Sequence, residues 1–249
     1  MTDRTIVITG ASAGIGAALA ERLSARGDRV ALVARREAEL RAVAARCGTN
    51  ALSHVADVTS REAVKRVVSD TIAHFGHVDV WVNNVGRGIS RLVSQLSDGD
   101  LDEMMRVNVR TALYGMQEVL PHFIERGSGH IINVSSMLGR VPMFAPRSAY
   151  SASKHFLNAI TANLRDEMRE QHPGIQVSLV SPGIVATEFG KNAVYGGVDS
   201  RAMPMAQPVE EVAEVIAQVI DTRAPDVYTR PGMRQSVIDY YSRLGADPS

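Results

Sequence analysis

The 249-residue sequence has almost no cysteine and no excess of either charge. Its single cysteine, Cys47, has no partner for an intrachain disulfide or for a thiolate metal site. We therefore expect a reducing, cytoplasmic setting and no metal. The 27 Lys and Arg residues equal the 27 Asp and Glu residues in number, without a long run of one sign, so neither a nucleic acid nor an acidic membrane is indicated as a partner.

Long apolar runs are also missing. None approaches the roughly 20 residues that a membrane-spanning helix needs. The segment before the first strand, residues 1–4, is short and polar and lacks the positively charged start and apolar centre of a signal peptide. We expect a soluble protein, and one domain, because α/β folds of this length commonly form around a single sheet.

Segments rich in β-branched residues alternate with longer segments of helical period. This alternation predicts a doubly wound α/β fold, in which a parallel sheet carries helices on both faces. Seven strands are predicted, at Thr5–Thr9, Arg29–Ala34, Ala51–Ala56, Val78–Val82, Gly129–Val134, Gln176–Val180 and Val227–Tyr228.

Helices are predicted between these strands. Gly27 is a candidate left-handed cap at the end of the first helix. Ser60 is a candidate N-cap for the helix that follows the third strand and runs to about Phe75. The other main helices are predicted at Asp100–Arg126, Ala149–Gln171 and Val209–Asp221, and the first covers Ile15–Arg26. Residues 190–208 show little periodicity, which fits a surface loop or, because a strand end precedes them, a substrate lid.

A glycine-rich segment separates the first predicted strand from the first helix. Its spacing is G-x-x-x-G-x-G, and glycines there allow a tight turn while the N–H groups at the helix start favour a diphosphate. Three glycines can also serve packing alone. The position between strand and helix favours a dinucleotide site formed by Gly10, Ser12, Gly14, Ile15 and Gly16.

The residues after the second strand indicate which dinucleotide would bind. A carboxylate there suits the ribose hydroxyl of NAD, whereas guanidinium groups suit the 2′-phosphate of NADP. The sequence has Arg35 and Arg36. Adjacent arginines are often only a solvated helix start, and Glu37 can belong to the next helix's first turn, but this position favours NADP(H).

Tyr150 and Lys154 lie one helical turn apart near the start of a predicted helix. A nearby ammonium favours the phenolate and would lower the tyrosine pKa towards neutrality, which gives an acid/base residue. The alternative is an ordinary amphipathic helix with a surface lysine. Ser135 and Ser136 follow the fifth strand, where a hydroxyl can hold a substrate oxygen or merely cap a turn.

Together these motifs resemble the short-chain dehydrogenase/reductase family, in the expected order from Thr9 to Thr187. Further matching residues are Asp57, Asn83-Asn84-Val85-Gly86, Asn108 and Pro182-Gly183-Ile184. The resemblance implies a single Rossmann-like domain that interconverts a carbonyl, as a ketone or aldehyde, and an alcohol with NADP(H).

The resemblance also implies a role for each matching residue. Tyr150 would be the acid in reduction and the base in oxidation, and Ser136 would fix the reacting oxygen. Lys154 would hold the nicotinamide ribose and lower the tyrosine pKa, and Asn108 would support a proton-relaying water. The cofactor would also be held by Asp57 and Asn83 near the adenine, by Gly86, and by Pro182, Gly183, Ile184 and Thr187 around the nicotinamide.

Asp57, Asn83, Asn108 and the Pro182-Gly183 pair also have plain structural interpretations: a helix-start acid, a turn at the sheet edge, a helical polar residue and a simple turn. The sequence departs from the family at Val85, where alanine is usual, and in the spacing of fourteen residues from Ser136 to Tyr150, one more than is commonest. Ser135 therefore stays an alternative to Ser136. The extra residue is assigned to Met143–Arg147. His155, Trp81 and the methionine pair at 104–105 are interpreted as structural.

Two other functions remain open at this stage: a non-catalytic NADP(H) sensor, and an epimerase or dehydratase that keeps the cofactor. The substrate pocket is predicted around Arg87–Leu92, Leu138–Arg147 and Gly190–Gln207, whose mixed composition suggests an apolar or mixed small-molecule substrate. The resemblance implies a homodimer or homotetramer formed through the Asp100–Arg126 and Ala149–Gln171 helices.

Overall fold

The computed structural model describes residues 4–245. The predicted polar N-terminus lies almost wholly outside them. Seven strands form one sheet in which every neighbouring pair is parallel, in the order β3-β2-β1-β4-β5-β6-β7. This confirms the predicted fold class. The strands are β1 Thr5–Thr9, β2 Arg29–Ala34, β3 Ala51–Val55, β4 Val80–Asn83, β5 Gly129–Val134, β6 Ile175–Ser181 and β7 Asp226–Tyr228.

The fourth strand begins two residues later than predicted. Val78 is buried, but its N–H donates to His122 Nε2 at 3.0 Å and its carbonyl accepts from Arg126 Nη1 at 2.7 Å. Side chains thus satisfy the backbone groups that a strand neighbour would otherwise bind, and regular pairing starts at Val80.

The α-helices of the described residues are α1 Gly14–Ser24, α2 Glu37–Cys47, α3 Arg61–Phe75, α4 Asp98–Met105, α5 Thr111–Arg126, α6 Ser148–Gln171, α7 Val209–Thr222 and α8 Met233–Tyr241. Strand alternation sends Ile6 and Ile8 to one face and Val7 to the other. α1, α2 and α7 pack on the first face, and α3, α5 and α6 pack on the second. Two apolar layers therefore enclose the sheet.

The single long helix predicted at Asp100–Arg126 is interrupted, which corrects that prediction. A π-helical turn at Arg106–Arg110 separates α4 from α5. Such a turn inserts one extra residue and redirects the side chains within it. Asn108 lies in this turn and is fully buried. α4 also starts earlier, because Ser97 and Asp100 form a capping box at its N-terminus.

Other local predictions agree with the structure. Gly27 has a φ of +90°, and the Ser60 hydroxyl accepts from the N–H of Ala63 at the start of α3. Glu37 belongs to the first turn of α2 and pairs with Arg41 at 2.6 Å. Helix α8 is not among the predicted elements, because it has no buried residue and hence no apolar period to reveal it.

Residues 190–208 follow β6 and return over the carboxyl edge of the sheet. Val194 bridges to Ile89, and Gln207 bridges to Val185. The Gln207 side chain is buried and exchanges hydrogen bonds with Thr229. The segment is thus tied at its middle and its end. Within residues 4–245, no helix is long and apolar enough to cross a membrane.

Gly115 generates a stability prediction. It lets α5 lie directly on β4, since a Cβ there would collide with Asn83 Oδ1 and the Trp81 indole. We expect Gly115→Ala to lower the free energy of unfolding by about 1–3 kcal/mol through overpacking. Urea unfolding followed by circular dichroism measures this.

The matched control is Gly99→Ala. Gly99 is exposed in α4 with open space around it, so we expect stabilisation by about 0.5–1 kcal/mol from the helix propensity of alanine. Equal effects of the two substitutions would show that α5 tolerates the extra methyl group.

Candidate active site

A cleft of about 1640 Å³ opens at the carboxyl ends of the strands. The strand order runs outward from β1 in one direction and from β4 in the other, so the crevice lies where the sheet topology reverses. Ligands of open α/β sheets bind at this point. Most residues predicted for the site line this cleft, although they come from segments far apart in the sequence.

The predicted phosphate loop lies at one end of the cleft. Gly10 and Gly14 have φ values of +70° and +54°, in the left-handed region that favours glycine. α1 begins without a side-chain cap, so its first N–H groups are free for an anion. Ser12, Ala13 and Ile15 line the same surface. The loop therefore fits a diphosphate.

Gly16 was predicted to bind the dinucleotide, but it lies behind the cleft surface. It is not part of the cleft lining, and a Cβ there would collide with the carbonyl of Gly10. Its role is close packing of α1 against the loop. Asn84 holds the loop from the other side: its side-chain Nδ2 donates to Thr9 O and its backbone N–H donates to Thr9 Oγ1, both at 3.0 Å. From the sequence, Asn84 was predicted only as part of a motif.

Arg35, Arg36 and Asp57 meet beside the phosphate loop. Arg36 Nη2 donates to Ser12 Oγ at 3.1 Å, and Arg35 Nη1 lies 3.8 Å from Asp57 Oδ2. Both guanidinium groups are mostly exposed and line the cleft. Asp57 also accepts from the N–H of Thr59. The result is a basic end of the cleft next to the diphosphate position.

Tyr150 occupies the first turn of α6 and is buried at the opposite end of the cleft. Its hydroxyl is close enough to Ser136 for that side chain to lower the tyrosine pKa, and its ring packs on Phe189 with a centroid separation of 5.4 Å. Ser135 instead donates to Asn158 Oδ1. Of the two candidate serines, Ser136 is thus the one that faces the tyrosine hydroxyl.

Burial dominates the ionisation of the tyrosine and the lysine. It raises the pKa of Tyr150 to about 12, against the weaker opposing effects of the Ser136 hydrogen bond and the Arg147 charge. It lowers the pKa of Lys154 to about 8. Lys154 Nζ donates to Val134 O at 2.9 Å and lies 5.9 Å from the tyrosine ring centroid. In this structure the pKa of Tyr150 is thus raised by burial, and Lys154 is not among the groups that lower it.

Asn108 reaches the same region from the π-helical turn. Its Oδ1 accepts from Arg87 N at 2.8 Å, and its Nδ2 donates to Arg87 O and to Ser153 Oγ. A methyl group built on Gly86 would lie 3.3 Å from Asn108 Oδ1 and 3.6 Å from Lys154 Nζ. Gly86 thus leaves space between these two polar side chains.

Asn83 lies away from the residues that line the cleft, which corrects its predicted place beside the adenine. Its Oδ1 accepts from the Trp81 indole, and its Nδ2 donates to Asn133 Oδ1 and to Ala112 O. All of these contacts lie inside the fold, and Asn83 is not part of the cleft lining. Strand alternation is the reason, because Asn83 still belongs to β4.

The segment after β6 lies along the cleft, in the part where the resemblance predicts the nicotinamide. Pro182, Gly183, Ile184 and Thr187 all line the cleft, and Thr187 faces Gly14 across it. Met233 of α8 packs over Gly183, and no sequence pattern indicates this contact. His155, Trp81 and Met104 lie outside the cleft lining, and His155 Nδ1 is 2.8 Å from Ser151 O.

Comparison with known proteins adds three kinds of similarity. The family described as short chain dehydrogenase matches residues 4–196. An uncharacterized oxidoreductase of Staphylococcus epidermidis is 32% identical over 229 residues, which are 92% of this chain and 97% of that protein. A short-chain dehydrogenase structure from Streptomyces avermitilis has a TM-score of 0.87 at 29% identity, over 97% of this chain and 93% of that one.

Two further similar structures contain cofactors. A metagenomic short-chain oxidoreductase in complex with NADP has a TM-score of 0.75 at 32% identity, covering 92% of this chain and 97% of that one. A 3-ketoacyl-(acyl-carrier-protein) reductase from Brucella melitensis complexed with NADH has a TM-score of 0.80 at 26% identity, covering 91% and 97%.

The buried ammonium of Lys154 generates a prediction. Lowering its pKa from 10.5 to about 8 corresponds to a burial cost of at most about 3 kcal/mol at pH 7, where the ammonium is charged in both states. We expect Lys154→Met to be about 1–3 kcal/mol more stable than the wild type in urea unfolding at pH 7.

The advantage of Lys154→Met should shrink as the pH rises from 8 to 10.5. In that window the unfolded chain binds more protons than the folded one, so wild-type stability rises with pH. The control is Lys65→Met at an exposed position of α3. A Lys154→Met protein that is less stable than the wild type at pH 7 would contradict the burial cost.

Proposed function

The chain belongs to the short-chain dehydrogenase family and is an oxidoreductase, and on that basis we propose that it interconverts a ketone or aldehyde and an alcohol with NADP(H). Tyr150 exchanges the proton in this proposal. The observation that carries it is the buried Tyr150 side chain, which lines the cleft together with Ser136 and has Lys154 one helical turn away.

The cleft fits an extended dinucleotide. Gly10, Ser12, Gly14 and Ile15 would hold the diphosphate, Asp57 would lie near the adenine, and Gly86 with the 182–187 segment would surround the nicotinamide. When bound, the cofactor supplies or accepts the hydride. Similar proteins hold either NADP or NADH, so the choice of NADP here rests on this chain's own residues.

Those residues are Arg35 and Arg36. A 2′-phosphate next to them would gain charge-assisted hydrogen bonds, and the Arg36–Ser12 contact already directs one guanidinium towards the phosphate loop. Asp57 lines the cleft beside them and pairs loosely with Arg35, while the partner of Arg36, Glu39, does not line it. This charge balance favours a phosphate over a free ribose hydroxyl.

The proton step follows from the Tyr150 pKa of about 12. At neutral pH the hydroxyl is protonated, which is the form that donates to a carbonyl oxygen as hydride arrives at the carbon. Ser136 can hold the same oxygen by a hydrogen bond. Oxidation requires the phenolate, so its rate rises with pH. Lys154 and Asn108, on either side of Gly86, form the inner end of a proton path in this proposal.

The remaining parts of the proposal concern access and assembly. Residues 190–208 act as the substrate lid, since Val198, Ser200 and Met203 line the cleft opposite Phe144. A homodimer or homotetramer would cover apolar side chains that α4, α5 and α6 leave exposed, namely Leu101, Ile124 and Phe156.

Tyr150→Phe tests the proton transfer. We expect kcat to fall by about 10²–10⁴-fold with an unchanged Kd for NADPH, because the hydroxyl acts only on the reacting oxygen. The assay is a panel of ketones, aldehydes and alcohols with NADPH/NADP and NADH/NAD, read by absorbance at the nicotinamide band.

The control is Tyr114→Phe, at a tyrosine that packs under Arg61 away from the cleft. Full turnover by Tyr150→Phe would sink the proposed mechanism. Tight NADPH binding without turnover of any panel member would instead indicate a sensor, and products formed without net cofactor redox change would indicate an epimerase or dehydratase.

Arg36→Ala tests the cofactor choice. Loss of a charged hydrogen bond to the 2′-phosphate should raise the KM for NADPH by about 10- to 100-fold and leave the KM for NADH nearly unchanged. Arg41→Ala is the matched control, because Arg41 lies on the same helix, pairs with Glu37 and faces away from the cleft. Equal changes for both cofactors would contradict the NADP assignment.

A further inference from the structure

Arg147 lies at the junction between the loop after β5 and helix α6, three residues before Tyr150. Its backbone is fixed on two sides. Its N–H donates to Phe144 O, and its carbonyl accepts from the N–H of Ser151. The neighbouring segment pairs with Arg91, whose N–H donates to Pro146 O at 2.7 Å. The direction of its Cα–Cβ bond is therefore set by the fold.

The guanidinium group of Arg147 projects into the cleft. Nη1 donates to Ile89 O at 3.2 Å, which uses one of its five donors. A Cβ on Gly88 or on Gly197 would contact its two terminal nitrogens, so backbone without side chains lies on both sides of the group. Arg147 is half-buried, and burial holds the pKa of its guanidinium below the usual value.

Arg147 differs from the other arginines of the cleft in its charge partners. Each of those lies within 3.8 Å of a carboxylate oxygen: Arg35 with Asp57, Arg36 with Glu39, Arg87 with Glu103, and Arg201 with Glu188. No carboxylate of residues 4–245 lies within 4 Å of the Arg147 guanidinium. A half-buried charge without a counter-charge is costly to fold, and such groups cluster at binding sites.

We propose that Arg147 binds an anionic group of the substrate, a carboxylate or a phosphate, carried on the same small molecule as the reacting carbonyl or alcohol. The proposal rests on the proposed function and narrows its substrate class. Planar guanidinium with free donors matches either oxyanion in a bidentate manner. Hydride and proton transfer at the carbonyl leave the anionic group unchanged, so Arg147 acts in binding and orientation only.

The position of Arg147 also limits the substrate's shape. A Cβ built on Gly88 would lie 2.6 Å from Arg147 Nη1 and 3.1 Å from Phe189 Cε1, and the Phe189 ring packs on Tyr150, so the anionic group lies near the reacting carbon rather than at the end of a long chain. Phe189 packs on Tyr150, and Val198 lines the cleft close by, which leaves an apolar wall for the rest of the molecule. A short keto acid or a short phosphorylated ketone fits these features.

The test compares matched pairs that differ only in charge. The probes are pyruvate, acetoacetate and 4-oxopentanoate, each against its methyl ester, and dihydroxyacetone phosphate against dihydroxyacetone, all with NADPH. We expect the anionic member of at least one pair to have a kcat/KM about 10- to 100-fold higher, mainly through KM. The carboxylate and phosphate pairs tell the two anions apart.

Arg147→Gln should bring that ratio to about one, and Arg147→Lys should restore part of it, since the charge returns without the planar fork. The matched control is Arg201→Gln, which removes a cleft charge that is already neutralised by Glu188 and Asp199 and should keep the ratio. A wild-type ratio near one in every pair, or an unchanged ratio in Arg147→Gln, overturns the assignment.

Failure of the proposed function has a different signature. If the wild type turns over neutral ketones with a ratio of one, the reaction stands and the role of Arg147 is wrong. If it turns over nothing, the same pairs of compounds are titrated into the wild type and into Arg147→Gln, both with NADP⁺ bound, and calorimetry measures their affinities. Tighter binding of the anion by the wild type alone supports the assignment, and equal binding refutes it.

Discussion

Parallel pairing of β4 with β1 on one side and with β5 on the other places the residues that follow these strands at one edge of the sheet. Thr9 and Asn84 lock this edge, because the Thr9 hydroxyl donates to Val82 O while Thr9 O accepts from the Asn84 side chain. The phosphate loop is held against the end of β4 by these bonds. The cleft at the topological reversal depends on this junction.

Low polarity inside the cleft then determines the chemistry. Burial moves the pKa of Tyr150 up to about 12 and that of Lys154 down to about 8, so both neutral forms are favoured. Ser136 lowers the pKa of Tyr150, and Lys154 donates a hydrogen bond to Val134 O, but neither interaction reverses the effect of burial. A protonated tyrosine suits reduction, and the energetic cost of the buried lysine is of the kind that active sites retain for function.

Charge is distributed unequally along the cleft. At one end Arg35 and Arg36 are exposed and have carboxylate neighbours, so they interact with a ligand in high dielectric. At the other end Arg147 is half-buried, and within residues 4–245 its guanidinium hydrogen-bonds only to a backbone carbonyl. An anion bound there would be screened less by solvent. Two positive positions of different strength therefore flank the apolar middle of the cleft, which matches a dinucleotide followed by a small anionic substrate.

The sequence alone determined the seven strands, the glycine-rich turn between β1 and α1, the two arginines after β2 and the placing of Tyr150 and Lys154 one turn apart on α6, because each depends on local periodicity or on spacing along one element. It did not determine the π-helical turn at Asn108, the inward direction of Asn83 or the choice between Ser135 and Ser136, since each is decided by which side chains meet across the sheet. The tyrosine pKa shows the same limit. Spacing placed an ammonium nearby, but burial and the distance to Lys154, which only the tertiary structure sets, decided the direction of the shift.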